Sequence, residues 1–294
     1  MIRATFVVPA ESEDDAVALL WERGTLGVQV LDGEPGTVRL LAYFEDGGSE
    51  ELPGARFLGS EEVPAADWLA PYREAARPFP VGERLLLDPR DPDGVETPVA
   101  PGRVTLRIPA RAAFGTGSHE STRLALELLE ETDLEDKRVL DVGTGTGILA
   151  FAALAFGARS AVGLDVEPAA PLHARANALL NGLYPAFFAG TLDALEGGPG
   201  EDPPLLGSAG AARAAGPAAA LFDLALVNVI PEEIAAELPR LASVLGPGGE
   251  AILSGILAVA GARVLSDWRA LGFAPVAERA AGDWVAFRVR KEGR

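Results

Sequence analysis

The sequence predicts a doubly wound α/β fold that follows a small, separate N-terminal domain. Two observations lead to this prediction. After residue 137, apolar runs typical of strands alternate with segments of helical period, and the main strands read KRVLDVG, SAVGLDV, FDLALVNV and EAILSGI. Before residue 61 the β-type runs follow one another with a single clear helix among them. Regular alternation of strands and helices indicates a largely parallel sheet that helices cover on both faces.

The N-terminal elements form a βαββ(α)β pattern, which predicts an α+β ferredoxin-like domain with its own antiparallel sheet. Its β-type runs lie at 2–8, 26–31, 37–44 and 55–60. A helix is expected between the first two runs, starting near Ser12 and ending near Gly24. We therefore assign residues 1–60 to this domain, 61–80 to a Pro-rich linker and 81–294 to the larger domain.

Three further features of the larger domain can be predicted. The alternations at 83–87 and 103–108, separated by DPRDPDG, suggest a hairpin, and 118–131 has the apolar spacing of an amphipathic helix. The runs at 273–279 and 283–290, joined by AAGD, indicate a second hairpin that adds antiparallel pairing to the sheet. Residues 197–220 are rich in Gly, Pro and Ala without any period, and we interpret them as an insertion.

Composition restricts the classes of partner. The 294 residues carry 43 acidic and 25 basic side chains, a formal charge of -18, which disfavours nucleic acid and anionic membranes. This charge favours a basic partner, although composition alone is explained more simply by solubility. The absence of cysteine excludes disulfides and thiolate-bound metals and suits the cytoplasm. Because His119 and His173 have no metal-ligand spacing, and the N-terminus lacks a signal-peptide pattern, we expect a cytoplasmic protein without a metal.

The strongest motif is VLDVGTGTGIL at 139–149, in which a strand ending in Asp141 turns through Gly143, Gly145 and Gly147 into a helix. Glycines permit close backbone approach, and a helix start offers free N–H groups, so a nucleotide-type ligand is expected here. The dinucleotide pattern fails because Ile148 occupies its third small position, and no Lys-Ser or Lys-Thr pair follows as in NTPases.

Two polar residues end neighbouring strands. Asp165 follows the next strand at a position where a carboxylate can accept hydrogen bonds from ribose hydroxyls, although an ordinary surface acid would have the same pattern. Asn228 ends the strand FDLALVNV, where its amide can orient an amine, or simply cap the turn before Pro231. The loop AAFGTGSHEST at 112–122 can close over a ligand or form a plain helix N-cap.

The glycine motif resembles the first motif of class I S-adenosylmethionine methyltransferases, in which this loop wraps the methionine moiety. AFGTGSHEST further resembles the AFGTGxHxTT signature of the bacterial ribosomal protein L-11 methyltransferases, with Ser121 at the first threonine. The segments GLDVEP, ANALLNG and LSGI match that family in order. The resemblance implies S-adenosylmethionine as methyl donor and cofactor contacts at Phe114, Gly115, Thr116, Thr122, Asp141, Gly143, Thr144, Gly145, Gly147, Asp165 and Asn228.

The same resemblance implies methylation of lysine side chains and the N-terminal amine of ribosomal protein L-11, with residues 1–60 recognising this substrate. Asn228 is the candidate catalytic residue, and the residues single out no general base. Two alternatives stay open: a methyltransferase for RNA, a glutamine amide or a small molecule, and a noncatalytic protein that senses S-adenosylmethionine. The acidic charge disfavours RNA, and Asn-Val-Ile lacks the Pro-Pro-aromatic tail of amide and adenine methyltransferases.

Overall fold

The computed structural model of the protein describes residues 1–45, 52–63, 76–93, 95–109, 117–195 and 222–293. The chain divides into two units, Met1–Ala75 and Ala76–Arg294. This division falls within the 61–80 segment that the sequence assigns to a linker, and the individual domain bounds stay predictions. The 197–220 insertion lies outside the described residues. In the parts of the chain just given, no helix has the length and apolar character to cross a membrane.

The N-terminal unit is an antiparallel sheet with one described helix. Its elements are β1 (Ile2–Pro9), α1 (Glu13–Glu22), β2 (Gly27–Asp32), β3 (Thr37–Phe44) and β4 (Arg56–Glu62). The strand order β2-β3-β1-β4 is that of a ferredoxin-like sheet, as the sequence predicts. Ala4, Phe6 and Val8 alternate along β1 and are buried against Leu20 of α1 and Leu40 of β3. The period-two pattern of β1 therefore produces a core on one face of this sheet.

The second unit contains a seven-stranded sheet that is parallel except for one strand, β14, which runs antiparallel to both of its neighbours. Its strands are β8 (Arg138–Val142), β9 (Ser160–Asp165), β10 (Ala186–Ala189), β11 (Phe222–Asn228), β12 (Leu245–Leu257), β13 (Phe273–Ala281) and β14 (Trp284–Lys291). The order β10-β9-β8-β11-β12-β14-β13 confirms the doubly wound prediction and the antiparallel C-terminal pair. Strands β8, β9 and β10 are added toward one edge of the sheet, whereas β11 and β12 are added toward the other. The strand order therefore reverses between β8 and β11, and a crevice forms at the carboxyl ends of these two strands.

Helices cover both faces of this sheet. One core contains α2 (Glu120–Glu130), α3 (Ile148–Ala155) and α4 (Ala170–Asn181), packed against Val139 and Leu224. The other contains α5 (Pro231–Ile234), α6 (Leu238–Val244) and α7 (Gly261–Ala270), packed against Leu140 and Ala225. Residues 139 and 140 thus face opposite layers, as successive residues of a strand must.

The helical pattern of PEEIAAELPRLASVLGPGG at 231–249 predicts one helix that ends at the GPGG stop, and this prediction is wrong. A 3-10 turn at Ala235–Glu237 separates α5 from α6, and β12 already begins at Leu245. Pro239 lies in the first turn of α6. Because proline has no N–H to donate to the preceding turn, the helix is interrupted there and starts again.

The predicted hairpin of 83–87 with 103–108 is also wrong. β5 (Phe79–Val81) pairs antiparallel with β6 (Leu85–Asp88), but β6 pairs parallel with β7 (Val104–Arg107). The connection after β6 is long enough for a parallel crossover. Asp88 is fully buried and accepts hydrogen bonds from Arg90, Nε to Oδ1 at 2.8 Å and Nη2 to Oδ2 at 3.0 Å. This pair turns the chain directly after β6, and residue 104 returns beside the start of that strand.

Candidate functional site

The glycine loop between β8 and α3 lies at the crevice where the strand order reverses. Gly143, Gly145 and Gly147 have φ values of +70°, +52° and +84°, which L side chains rarely adopt. A Cβ atom on Gly143 would lie 2.3 Å from Cγ1 of Val229, and one on Gly147 would lie 2.9 Å from the Phe151 ring. The loop therefore requires glycine for its backbone conformation and for its close contact with the residue that follows β11.

Asp165 fixes the outer side of this loop. Its Oδ2 accepts a hydrogen bond from the backbone N–H of Gly145 at 2.8 Å, and its Oδ1 accepts one from the N–H of Glu167 at 3.0 Å. The N–H groups of Gly143 and Thr144 both donate to the carbonyl oxygen of Leu164, each at 2.9 Å. Since a carboxylate has about four acceptor positions, Asp165 retains the capacity to accept hydrogen bonds from a ligand.

Asp141 lies beneath the loop and is almost completely buried. Thr144 Oγ1 donates to its Oδ2 at 2.7 Å, whereas Oδ1 is buried with no hydrogen-bond partner in the described ranges. Burial raises the pKa of Asp141 to about 7; hydrogen bonds from the Thr144 hydroxyl and the Ala150 backbone oppose this shift, and the nearby Asp165 charge adds to it. A cation or hydrogen-bond donor bound beside the loop would stabilise the ionised form.

The start of α2 meets the carboxyl end of β11. Thr122 is fully buried, and its Oγ1 accepts a hydrogen bond from Nδ2 of Asn228 at 3.1 Å. The amide oxygen of Asn228, Oδ1, is buried, and no residue that the structure describes hydrogen-bonds to it. His119 caps the helix by accepting from the N–H of Ser121 at 3.2 Å. Asn228 is therefore held by one end of its amide while the acceptor end stays available.

The structure brings most of the predicted site residues into one crevice. Asp141, Gly143, Thr144, Gly145, Gly147 and Asp165 form the loop and its supports, and Val229 connects that loop to Asn228 and hence to Thr122. Phe114, Gly115 and Thr116 belong to the predicted set but lie outside the described residues.

Sequence reasoning missed two hydrogen-bonded asparagines of α4, of which the first supports the glycine loop and the second holds the end of β7. Asn177 is buried, and its Nδ2 donates to the carbonyl oxygen of Thr146 at 3.0 Å. Asn181 accepts from the N–H of Arg107 at 2.7 Å and donates to that residue's carbonyl oxygen at 2.9 Å. The four-residue spacing of two asparagines within ANALLNG places them on one helix face, a signal that could have identified them.

The turn after β10 was missed for a different reason. The N–H of Gly190 donates to the carbonyl oxygen of Asp165 at 2.8 Å, so residues 190–193 border the same crevice. Thr191 Oγ1 donates to the Asp193 carboxylate at 3.1 Å. The four-residue strand AFFA was not predicted, and the turn that follows it therefore could not be placed.

These residues fit S-adenosylmethionine, the ligand that the sequence resemblance implies. The glycine cradle admits close approach to the backbone, Asp165 offers a carboxylate suited to ribose hydroxyls, and the unpaired Oδ1 atoms of Asp141 and Asn228 offer acceptors. Across the described ranges, no cluster of three or more His, Cys, Asp or Glu side chains could hold a metal ion.

Comparison with known proteins gives matches over nearly the whole chain. Residues 50–292 match the family model described as "Ribosomal protein L11 methyltransferase (PrmA)". A ribosomal protein L11 methyltransferase of Thermus thermophilus is 37% identical over 276 residues, covering 94% of each chain. One of Deinococcus radiodurans is 36% identical over 282 residues, covering 93% of each.

A solved structure is similar as well. The crystal structure of a ribosomal protein L11 methylase from Lactobacillus delbrueckii subsp. bulgaricus superposes with a TM-score of 0.59 at 27% identity. The alignment covers 73% of this chain and 98% of that one. The similarity thus extends from the sequence motifs to the arrangement of strands and helices.

Proposed function

Because the chain belongs to the ribosomal protein L11 methyltransferase family, we propose that it transfers methyl groups from S-adenosylmethionine to amino groups of ribosomal protein L11. The acceptor groups of this proposal are lysine side chains and the N-terminal amine. The observation that carries it is the Asn228 amide, whose buried Oδ1 lacks a described partner beside a glycine loop suited to a nucleoside ligand. A basic ribosomal protein also suits a chain with a formal charge of -18.

Within this proposal, the cofactor residues are those predicted from sequence. Gly143, Thr144, Gly145 and Gly147 surround the methionine part, Asp165 accepts hydrogen bonds from the ribose, and Asp141 supports the loop from beneath. Thr122 and Asn228 lie on the opposite side of the crevice, and Phe114, Gly115 and Thr116 complete the set. Support comes from the shared crevice of the described members and from their match to the family motifs.

When bound, S-adenosylmethionine would supply a sulfonium methyl group whose carbon a nucleophile attacks in line, with S-adenosylhomocysteine as the leaving group. The protein's part is to hold an uncharged amine in position and to exclude water. Asn228 Oδ1 can accept a hydrogen bond from the amine N–H, which leaves the nitrogen lone pair free to attack. A lysine amine titrates near pH 10.4 in water. The neutral form therefore arises by desolvation or by proton loss to solvent, and we assign no general base.

We also propose that residues 1–60 recognise the ribosomal protein. This region folds as a separate sheet and contains none of the cofactor motifs. Docking on a tethered domain raises the local concentration of the acceptor amine at the crevice. A chain that starts near residue 65 should therefore bind S-adenosylmethionine normally but methylate L11 poorly. Unchanged kcat/KM for L11 in this truncated chain would contradict the recognition role.

The direct test uses tritiated S-adenosylmethionine with purified L11, total ribosomal RNA and free lysine as separate acceptors. Label should appear in L11 alone, at lysines and the N-terminal amine, and Asn228→Ala should lose at least about a hundredfold in rate. Label in RNA or in lysine alone would favour another methyltransferase class, and binding without transfer to any acceptor would favour a sensor. A cytoplasmic location, with no metal and no nucleic-acid or membrane partner, completes the proposal.

A further inference from the structure

Ser254 of β12 is buried beside the proposed catalytic residue. In the parallel pairing of β11 with β12, Ser254 stands in register with Asn228. Only 2% of its surface is exposed, and its Oγ donates a hydrogen bond to the backbone carbonyl oxygen of Ser121 at 2.7 Å. The bond connects a strand to the first turn of α2, across 133 positions of the chain.

The first turn of α2 is thereby fixed from several sides. His119 caps it through the Ser121 N–H, and the His119 ring contacts the Trp284 ring edge-on at 4.7 Å between centroids. Trp284 is the first residue of β14 and pairs with Leu257 of β12. Strand β12 therefore holds this turn directly through Ser254 and indirectly through Trp284.

The position of this turn sets the direction of the Asn228 amide. Thr122 follows Ser121, and its hydroxyl oxygen accepts a hydrogen bond from the side-chain amide of Asn228. This bond leaves Oδ1 as the available acceptor, whereas a shift of the turn would release Nδ2 and allow the amide to rotate. We propose that Ser254 is a positioning residue that orients the Asn228 amide through Ser121 and Thr122. Its effect on methyl transfer rests on the proposed function; its effect on the amide does not.

The test compares Ser254→Ala with Thr132→Val. Thr132 Oγ1 donates to the carbonyl oxygen of Leu128 at 2.8 Å, a bond of the same kind at the opposite end of α2. Side-chain amide hydrogen exchange of Asn228, followed by NMR on the ligand-free full chain, should accelerate at least about tenfold in Ser254→Ala, because the bond to Thr122 loosens. It should stay within about twofold of wild type in Thr132→Val.

Kinetics with S-adenosylmethionine and L11 provide the second measurement. Ser254→Ala should lower kcat about tenfold with KM for L11 within about twofold, since a small misplacement of a positioning group slows the reaction without changing docking. In an Asn228→Ala background the same substitution should change kcat less than about twofold, because the two residues act as one unit. Ser254→Thr, which retains the hydroxyl, should recover most of the rate.

Two results would overturn the proposal: unchanged exchange of the Asn228 amide in Ser254→Ala, or an equal kcat loss with and without Asn228. A general loss of stability would lower kcat equally in both backgrounds and is thereby recognised. If the wild-type chain does not methylate L11, the proposed function fails, while amide exchange still decides whether Ser254 orients Asn228.

Discussion

Two buried aspartates, Asp88 and Asp141, occupy similar positions near strand ends but differ in their partners. Asp88 is bound by the Arg90 guanidinium and backbone, with Arg107 nearby, whereas Asp141 has the Thr144 hydroxyl and the Ala150 backbone as partners and, among the described residues, no cationic group. Burial alone would raise the pKa of both. At Asp88 the hydrogen bonds and charge of Arg90, aided by Arg107, outweigh burial and lower the pKa. At Asp141 burial prevails and the pKa rises to about 7.

The difference separates an acid that its own partners satisfy from one that we propose serves the site. The partners of Asp88 are Arg90 of the turn after β6 and Arg107 of the paired strand β7, so the carboxylate stabilises this part of the fold and is then satisfied. Asp141 lies under the glycine loop, and one of its carboxylate oxygens lacks a described partner. A ligand that donates a hydrogen bond to this oxygen would offset part of the free-energy cost of burying the carboxylate. Buried acids without a cationic partner are candidates for functional sites, and Asp141 meets this description.

Removing the carboxylate of Asp88 should have the largest effect on stability. In Asp88→Ala two arginines lose their buried partner, and we expect a loss of about 3–5 kcal/mol in the free energy of unfolding, measured by urea titration. Because the folded pKa of Asp88 is lowered, its contribution is present above pH 3.8 and should be lost as pH falls below it. The exposed neighbour Asp91, changed to Asn, is the control. Equal, small effects of both substitutions would remove the contrast with Asp141.

The pH dependence of Asp141 should have the opposite sign. In the unfolded chain this carboxyl ionises near pH 3.8 and in the folded chain near 7, so the folded state binds more protons between these values. The contribution of Asp141 to stability should therefore fall as pH rises from about 4 to about 7, and then level off. Asp141→Asn should be more stable than wild type at pH 8 by on the order of 2–4 kcal/mol.

Thermal unfolding of both chains at pH 5 and pH 8 measures this difference directly. The gap between wild type and Asp141→Asn should be wide at pH 8 and narrow at pH 5. A gap that is the same at both pH values would mean that Asp141 is ionised in the folded protein throughout, as Asp88 is. The two aspartates would then not differ in their pH dependence.

Asp165 is an intermediate case, since both of its oxygens accept backbone N–H groups and neither has a cationic partner among the hydrogen bonds described. Asp165→Ala should weaken binding of S-adenosylmethionine by about 1.5–3 kcal/mol, through loss of charged hydrogen bonds to the ribose. Calorimetry with Glu167→Gln, an exposed acid two residues away, provides the matched control. If Kd were the same in both variants, Asp165 would be a support for Gly145 alone.

The smallest effect is expected from removing residues 197–220 and joining the ends with a short linker. The segment has no strand or helix period, and shortening a long connection changes its closure entropy little. The melting temperature and the S-adenosylmethionine affinity should stay close to those of the full chain. A large drop in either would mean that the segment supports β11 or the crevice, and that the environment of Asp141 depends on it.

The sequence was sufficient to predict those strands and loops whose conformation depends mainly on their own residues. The apolar runs of β8, β9, β11 and β12 suffice to predict parallel strands, and the three glycines of 143–147 require a tight loop wherever they occur. Pairing direction is different, because it depends on where a strand finds its partner. The turn residues after β6 suggest a hairpin. In the structure, Arg90 hydrogen-bonds to Asp88 within that turn, and β7 pairs parallel with β6.

The contacts of the site were likewise beyond the reach of sequence. Asn228 and Thr122 were each predicted, but their hydrogen bond spans 106 positions and depends on how α2 packs against β11. Burial of Asp141 follows from layers on both sides of the sheet, and its raised pKa follows from that burial. Ser254 is one ordinary serine in the sequence and gains its partner only through strand register.

The contact between Gly143 and Val229 connects the two halves of the crevice. Val229 follows Asn228 directly, and its side chain rests where Gly143 has no Cβ. We therefore expect a ligand that displaces the glycine loop to move the residue next to Asn228 as well, and occupancy of one half of the crevice to change the affinity of the other. Because such coupling is reciprocal, an acceptor amine bound at Asn228, as we propose, should alter the affinity for the methyl donor by the same factor. The measurable signature is a donor Kd that depends on the concentration of the acceptor protein.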